Sequence, residues 1–198
     1  MADDAPAWLT TALGTRTGDA GRLVAARLGS EALLGKGGLA LSSAAFRHGQ
    51  PLDPSFTADE EDAVAPPLEW TAPPPGTHEM VLVVEDVDAP FCHWLVWGLA
   101  GQKGQVLEGE APPRVGKNSF GNSEWLLPDP PTGDDPHSYA FQLFALDLPL
   151  TLMPGASRDE LVAAMEGHVM AAAILTGTYQ RAEGDDDDAE WDGDDDLA

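Results

Sequence analysis

The amino-acid sequence predicts a mainly β domain with a few flanking helices and long Pro/Gly-rich loops, and three observations carry that reading. First, short apolar runs rich in β-branched and aromatic residues recur at 80–84 (M-V-L-V-V), 94–97 (W-L-V-W), 139–146 (Y-A-F-Q-L-F-A-L) and 171–179. Runs of this length bounded by turn signals read as strands buried on both faces. Second, the stretches between them, above all 47–76 and 100–137, are dense in Pro, Gly and Asp. Proline removes backbone donors, so 47–76 is expected to be ordered loop carrying only edge strands. Third, helical periodicity is confined to the N-terminal segment and to one stretch near residue 160.

In order along the chain, residues 1–38 read as an N-terminal helical arm. Trp8, Leu9, Ala12 and Leu13 share a helical face, and Asp19 is placed to cap a second segment running through Leu23, Val24, Ala26 and Leu28. Gly35, Gly37 and Gly38 then break the pattern. A domain over 39–181 follows, with strands expected at 39–42, 77–85, 94–99, 139–146 and 171–179. Before the last strand, Ser157-Arg158-Asp159-Glu160 fits a capping box, and Leu161, Val162, Met165 and Val169 supply the apolar stripe of a helix. Residues 182–198 form an acidic tail whose dense like charge cannot pack, and it is expected to be disordered.

Composition narrows the possible partners. The 198 residues carry a formal charge of −24 and 43% hydrophobic residues, enough apolar side chains for a real core. Residues 183–198 hold ten acids and no base, leaving the remainder at −14. So negative a surface repels phosphate backbones and anionic headgroups, which argues against nucleic acid and membrane-surface partners. No apolar run approaches the roughly 18 residues of a membrane span, so no membrane insertion is expected. The N-terminal stretch is acidic and the single cysteine, Cys92, allows no intrachain disulfide; both point to the cytoplasm. The apolar arm allows a homodimer.

Polar residues concentrate where the two central strands meet. Between them lie Asp86, Asp88, Pro90, Phe91 and His93, and a second cluster, Pro131, His137 and Tyr139, opens the third strand. Ionisable groups at the edge of a core are costly unless they are paired or functional. Strand alternation points His137 and Tyr139 the same way and turns Cys92 away from His93, so these two do not make a Cys–His nucleophilic pair. Imidazoles and a phenol can donate to an oxyanion, while Asp86 can orient a histidine. The same groups can equally satisfy loop backbone. Two histidines and a carboxylate also suggest a metal triad, but no H-x-x-x-H or C-x-x-C spacing supports one, and no cofactor is expected.

Several motifs in order resemble the phosphatidylethanolamine-binding protein family in its bacterial Raf-kinase-inhibitor-like branch. They are A-P-P-L-E-W (65–70) with A-P-P-P-G-T (72–77), V-E-D-V-D-A-P (84–90), H-W-L-V-W (93–97), G-K-N-S-F-G (116–121), D-P-P-T-G-D-D-P-H-S-Y-A-F (129–141) and the stretch 161–179. The resemblance implies a central antiparallel sheet packed on a smaller sheet. It also implies a small anion pocket at one end of the strands, holding Asp86, His93, His137 and Tyr139, with Asp88, Pro90, Phe91 and Pro131 around its mouth. The chain departs from the family pattern at Ser138, where an arginine is frequent, at Val87, at Trp125-Leu126-Leu127 and in the short Pro90–His93 loop.

The function expected from this reading is binding of a small anion or phosphorylated ligand, without catalysis and with a regulatory role. A hydrolase using the same His/Asp/Tyr cluster is an alternative, although no G-x-S-x-G elbow or G-x-x-x-x-G-K-[ST] loop is present. A protein-interaction module with a vestigial pocket is another. The tail generates a direct prediction. Truncation after Arg181 leaves the cooperative thermal transition in place and raises stability at low salt by removing self-repulsion. Loss of cooperative melting in the truncated chain would show instead that the tail packs.

Overall fold

The computed structural model describes residues 4–14 and 18–183, so the acidic tail from 184 onward lies outside the described residues. The architecture is mainly β, two sheets with three short α-helices among the described residues. The larger sheet is built on four long strands, β4 (Glu79–Asp86), β5 (Cys92–Ala100), β8 (His137–Leu146) and β9 (Val169–Tyr179). Two-residue strands, β2 (Gln50–Pro51) and β7 (Arg114–Val115), close its edges, in the order β2-β9-β8-β4-β5-β7. All neighbours are antiparallel except β2 and β9. The smaller sheet runs β1 (Leu41–Ser42), β3 (Leu68–Trp70), β6 (Gly104–Val106). Proline sits on the edge strand β2, as its missing donor requires, but β3 is the middle of the small sheet rather than an edge.

Every residue of β4 and β8 is buried. The reason is that both faces of the large sheet are covered. On one face Met80, Leu82, Val84, Phe141 and Leu143 pack with Leu41, Leu68, Trp70 and Val106 of the small sheet. On the other face Val81, Val83, Leu95, Trp97 and Phe144 pack with three helices, α1 (Ala7–Leu13), α2 (Val24–Leu28) and α3 (Arg158–Met165). Double coverage explains why these strands read as unbroken apolar runs instead of alternating patterns. At roughly 25 cal/mol per Å² of apolar surface, this two-layer burial is the dominant stabilising term.

The N-terminal segment belongs to the second of these cores. Leu9, Leu13, Val24 and Ala25 are fully buried under the sheet, so the apolar face that suggested a dimerisation arm is covered within the chain itself. Asp19 does not cap a helix as expected. It precedes a single turn, Ala20–Arg22, makes no side-chain cap bond, and its carboxylate pairs with Arg22. Leu23 is extended (φ −61°, ψ 147°), which breaks the helix and restarts it at Val24. The first amides of α2 are then satisfied from the sheet: Val24 N–H donates to Glu85 Oε2 (2.8 Å) and Ala25 N–H to Gln142 Oε1 (2.7 Å). Gln142 Nε2 donates to the same Glu85 oxygen (2.7 Å), and the other Glu85 oxygen accepts from Arg158 Nε (2.6 Å) on α3.

The capping box at Ser157 and Glu160 is present with both of its hydrogen bonds. Val169, expected in that helix, instead opens β9, because Gly167 at φ 78° turns the chain after Met165. His168 bonds Asp147 (2.9 Å) from that turn.

The Glu85–Gln142 network yields a prediction. Gln142→Ala deprives Ala25 N–H of its acceptor and Glu85 of a donor in a fully buried position, and it should cost about 2–4 kcal/mol. The lowered midpoint of urea unfolding measures this; a change of a few tenths would mean that α2 is not held by these bonds.

Candidate functional site

The end of the large sheet where β4 stops, β5 begins and β8 begins carries a dense polar cluster. Asp86 is the last residue of β4 and pairs in register with Tyr139 on β8. Its carboxylate is 4% exposed and accepts hydrogen bonds from three directions. Oδ1 takes the backbone N–H groups of Asp88 (2.7 Å) and Ala89 (3.1 Å), closing the turn after β4. Oδ2 takes His137 Nδ1–H (2.7 Å). Asp88 bonds across the same gap, accepting Ser138 N–H at Oδ2 (2.7 Å). The two aspartates therefore fix the turn and the start of β8 against each other.

His93 reaches this cluster through a β-bulge. Opposite Val84 and Glu85 on β4 stand Trp94 and Cys92, with His93 as the extra residue. Cys92 packs into the helix-side core, as alternation requires, while His93 and Trp94 both turn to the small-sheet side. His93 is tied to Leu126 twice: its Nδ1–H donates to the Leu126 carbonyl (2.7 Å) and its own carbonyl accepts Leu126 N–H (2.9 Å). Its ring meets the Tyr139 ring edge-on, with centroids 5.1 Å apart and an 87° angle. The far nitrogen, Nε2, is buried and has no hydrogen-bond partner.

These groups line a cleft of about 290 Å³. Asp86, His93, His137 and Tyr139 all face it, and so do Asp88, Phe91 and Pro131 from the expected mouth. Pro90 does not; it lines a neighbouring cavity of about 320 Å³ with Arg22, Arg158 and Cys92. The sequence reading missed Ala89, Phe120, Leu126, Leu127, Asp129, Pro130 and Asp134, which complete the cleft. The signal for Phe120 lay in G-K-N-S-F-G: Asn118 is buried, and its Oδ1 accepts from Phe120 N–H (3.0 Å) and Asn122 N–H (3.2 Å) while its Nδ2 donates to the Glu124 carbonyl (3.1 Å). That knot presents the exposed Phe120 ring beside Phe91, 6.0 Å between centroids, at the mouth.

The electrostatics are distinctive. Asp86, Asp88, Asp129 and Asp134 line the cleft, and among the described residues no lysine or arginine does. Burial pushes the His93 imidazole below its ordinary value, outweighing the Leu126 carbonyl and the Asp86 charge. Burial, reinforced by Asp86, pushes the Tyr139 phenol up, so it is a neutral donor. On the opposite face, burial and Glu85 push the Cys92 thiol up to about 12, which leaves it inert as a nucleophile.

The His93 shift has a consequence for stability. A histidine held neutral in the fold leaves stability intact above its unfolded value near 6.5, and stability is lost as pH falls below that, where the unfolded chain takes up the proton. Relative to His93→Gln, which has no such titration, the wild-type protein should lose stability between pH 7.5 and 5.5. Parallel pH–stability curves for the two proteins would contradict a neutral His93.

Comparison with known proteins agrees with the fold. Residues 42–180 match the family model for phosphatidylethanolamine-binding proteins. A UPF0098 protein of Aquifex aeolicus is 37% identical over 150 residues, covering 70% of this chain and 86% of the relative. LppC of Mycobacterium tuberculosis, whose name carries a lipoprotein designation, is 35% identical over 147 residues, covering 72% of each chain. No helix among the described residues is long and apolar enough to cross a membrane. The crystal structure of a phosphatidylethanolamine-binding protein homologue from Chlamydia trachomatis superimposes with a TM-score of 0.68 at 32% identity, covering 72% of this chain and 97% of that one. Motif order, two-sheet architecture and these matches lead to one conclusion: the chain belongs to the phosphatidylethanolamine-binding protein family.

Proposed function

We propose that the cleft binds a small ligand through an oxyanion, a phosphate group in the first instance, and that it holds this ligand without transforming it. Family membership points to small-ligand binding in general terms. The observation that carries the finer reading is the convergence of two positioned imidazoles, His93 braced by the Leu126 carbonyl and His137 braced by Asp86, on one enclosed cleft with the Tyr139 ring between the strands that bring them. Tyr139 supplies a phenol donor there; with the Nδ1–H of each imidazole held by Leu126 or Asp86, a ring donates to a ligand only when its Nε2 also carries a proton. Among the described residues the lining contains no Ser, Thr, Cys or Lys, so a catalytic reading would have to use its Asp, His and Tyr side chains. A regulatory role follows if occupancy of the cleft alters the exposed Phe91–Phe120 rim.

A second reading rests on the Asp86–His137 pair, which has the form of a base oriented by a carboxylate and can activate a water for hydrolysis. Turnover of a phosphomonoester by the wild-type protein, abolished in His137→Ala, would carry that reading instead.

The binding proposal has a clear pH signature. The global charge of −24 repels anions, so affinity depends on local donors. A bound oxyanion favours any proton shared with the imidazoles, and raising the pH removes that proton, so affinity must fall. Calorimetric titration with inorganic phosphate from pH 5.5 to 8.5 at fixed ionic strength should show a rising Kd. His137→Ala should weaken binding at pH 5.5 by about tenfold, the weight of one charge-assisted hydrogen bond. A Kd flat with pH, or one unchanged in His137→Ala, overturns the role given to the imidazoles.

A further inference from the structure

We propose that the cleft selects a phosphomonoester in its singly protonated form, a P–OH whose hydrogen is accepted by His93 Nε2. This rests on the oxyanion reading and specifies which oxyanion. The carbonyl of Leu126 can only accept, so the 2.7 Å contact places the His93 proton on Nδ1. In the neutral ring Nε2 is then a lone-pair acceptor. It is buried without a partner on a residue only 4% exposed, and a group entering the cleft is what can supply a donor.

The surroundings favour a donor over a bare anion. The groups that act on His93 are Asp86 and Glu85 from β4 and His137 and Tyr139 from β8; Asp88, Asp129 and Asp134 complete the cleft wall. Four carboxylates in the lining, with no guanidinium or ammonium among the described residues, make a doubly charged ligand costly. Protonating Nε2 instead would place a charge on a ring whose burial disfavours the charged form. A monoanion carrying its own proton avoids both penalties. It satisfies Nε2 as a donor, while its unprotonated oxygens accept from the Tyr139 hydroxyl. A sulfate ester has the same shape and single charge but no hydrogen to give, so it leaves Nε2 unsatisfied.

Methyl phosphate and methyl sulfate form a charge-matched pair at pH 5.5, because a phosphomonoester gives up its second proton near pH 6. Calorimetry on the full chain at that pH should show methyl phosphate binding about tenfold more tightly, the size of one unsatisfied buried acceptor. At pH 8.5, where methyl phosphate is a dianion, the preference should vanish or reverse. In His93→Phe, which keeps a ring and removes the acceptor, the two ligands should bind alike at pH 5.5; the wild-type pH comparison stands even if that variant fails to fold. Equal binding by wild-type protein at pH 5.5 overturns the inference and leaves the oxyanion reading standing, with the proton on the imidazole. Binding of neither ligand overturns both.

Discussion

The Asp86 carboxylate is where three separate parts of the chain are joined. It ends β4, closes the turn through Asp88 and Ala89, and holds His137 at the start of β8. A carboxylate this buried persists only because its lone pairs are filled, and the donors that fill it are the ones that shape the cleft. Asp88, bonded to Ser138 N–H, repeats the tie one turn further out. The polar end of the sheet is thus built as a fully bonded turn first, and the histidine is positioned as part of the same construction.

Coverage of the sheet on both faces sorts the polar residues at the end of β4 into two hydrogen-bonded networks. Adjacent residues on β4 point oppositely, so Asp86 meets His137 and the cleft while Glu85 meets Gln142, Arg158 and the amides of α2. One network positions candidate ligand-binding groups; the other caps a helix and locks the N-terminal segment to the sheet. The bulge at His93 crosses this division, because the extra residue brings an imidazole to the cleft face while Cys92 stays among the helices.

Charge acts at two ranges in this molecule. At long range the surface is strongly negative and repels anions, an effect that salt screens within about 10 Å at 0.1 M. Within the cleft, the proposed binding would depend on single hydrogen-bonding atoms. Among the described residues the lining side chains supply acceptors in abundance, the Nδ1–H groups of both imidazoles are already held by Leu126 and Asp86, and the Tyr139 phenol is left as a donor. On the proposed reading, recognition is a matter of where hydrogens sit rather than of guanidinium pairing.

Much of the architecture was legible in the residues because it follows from local physics. Apolar runs bounded by Pro and Gly mark the central strands, the Ser157–Glu160 spacing marks the helix start, and period-two alternation places His137 and Tyr139 together. The motif resemblance named Asp86, His93, His137 and Tyr139, and the fold brings all four to one cleft. Tertiary structure alone decided the rest, and in each case the reason is a partner distant in sequence. The amides of α2 are capped by Glu85 and Gln142, 61 and 117 residues away, so Asp19 gave a false local signal. Pro90 faces the neighbouring cavity because the Asp86 turn sets its direction, and Phe120, Asp129 and Asp134 reach the cleft on loops whose course no periodicity encodes. The vacant acceptor on His93 exists because a carbonyl 33 residues away fixes the tautomer, a pairing that only the folded chain makes.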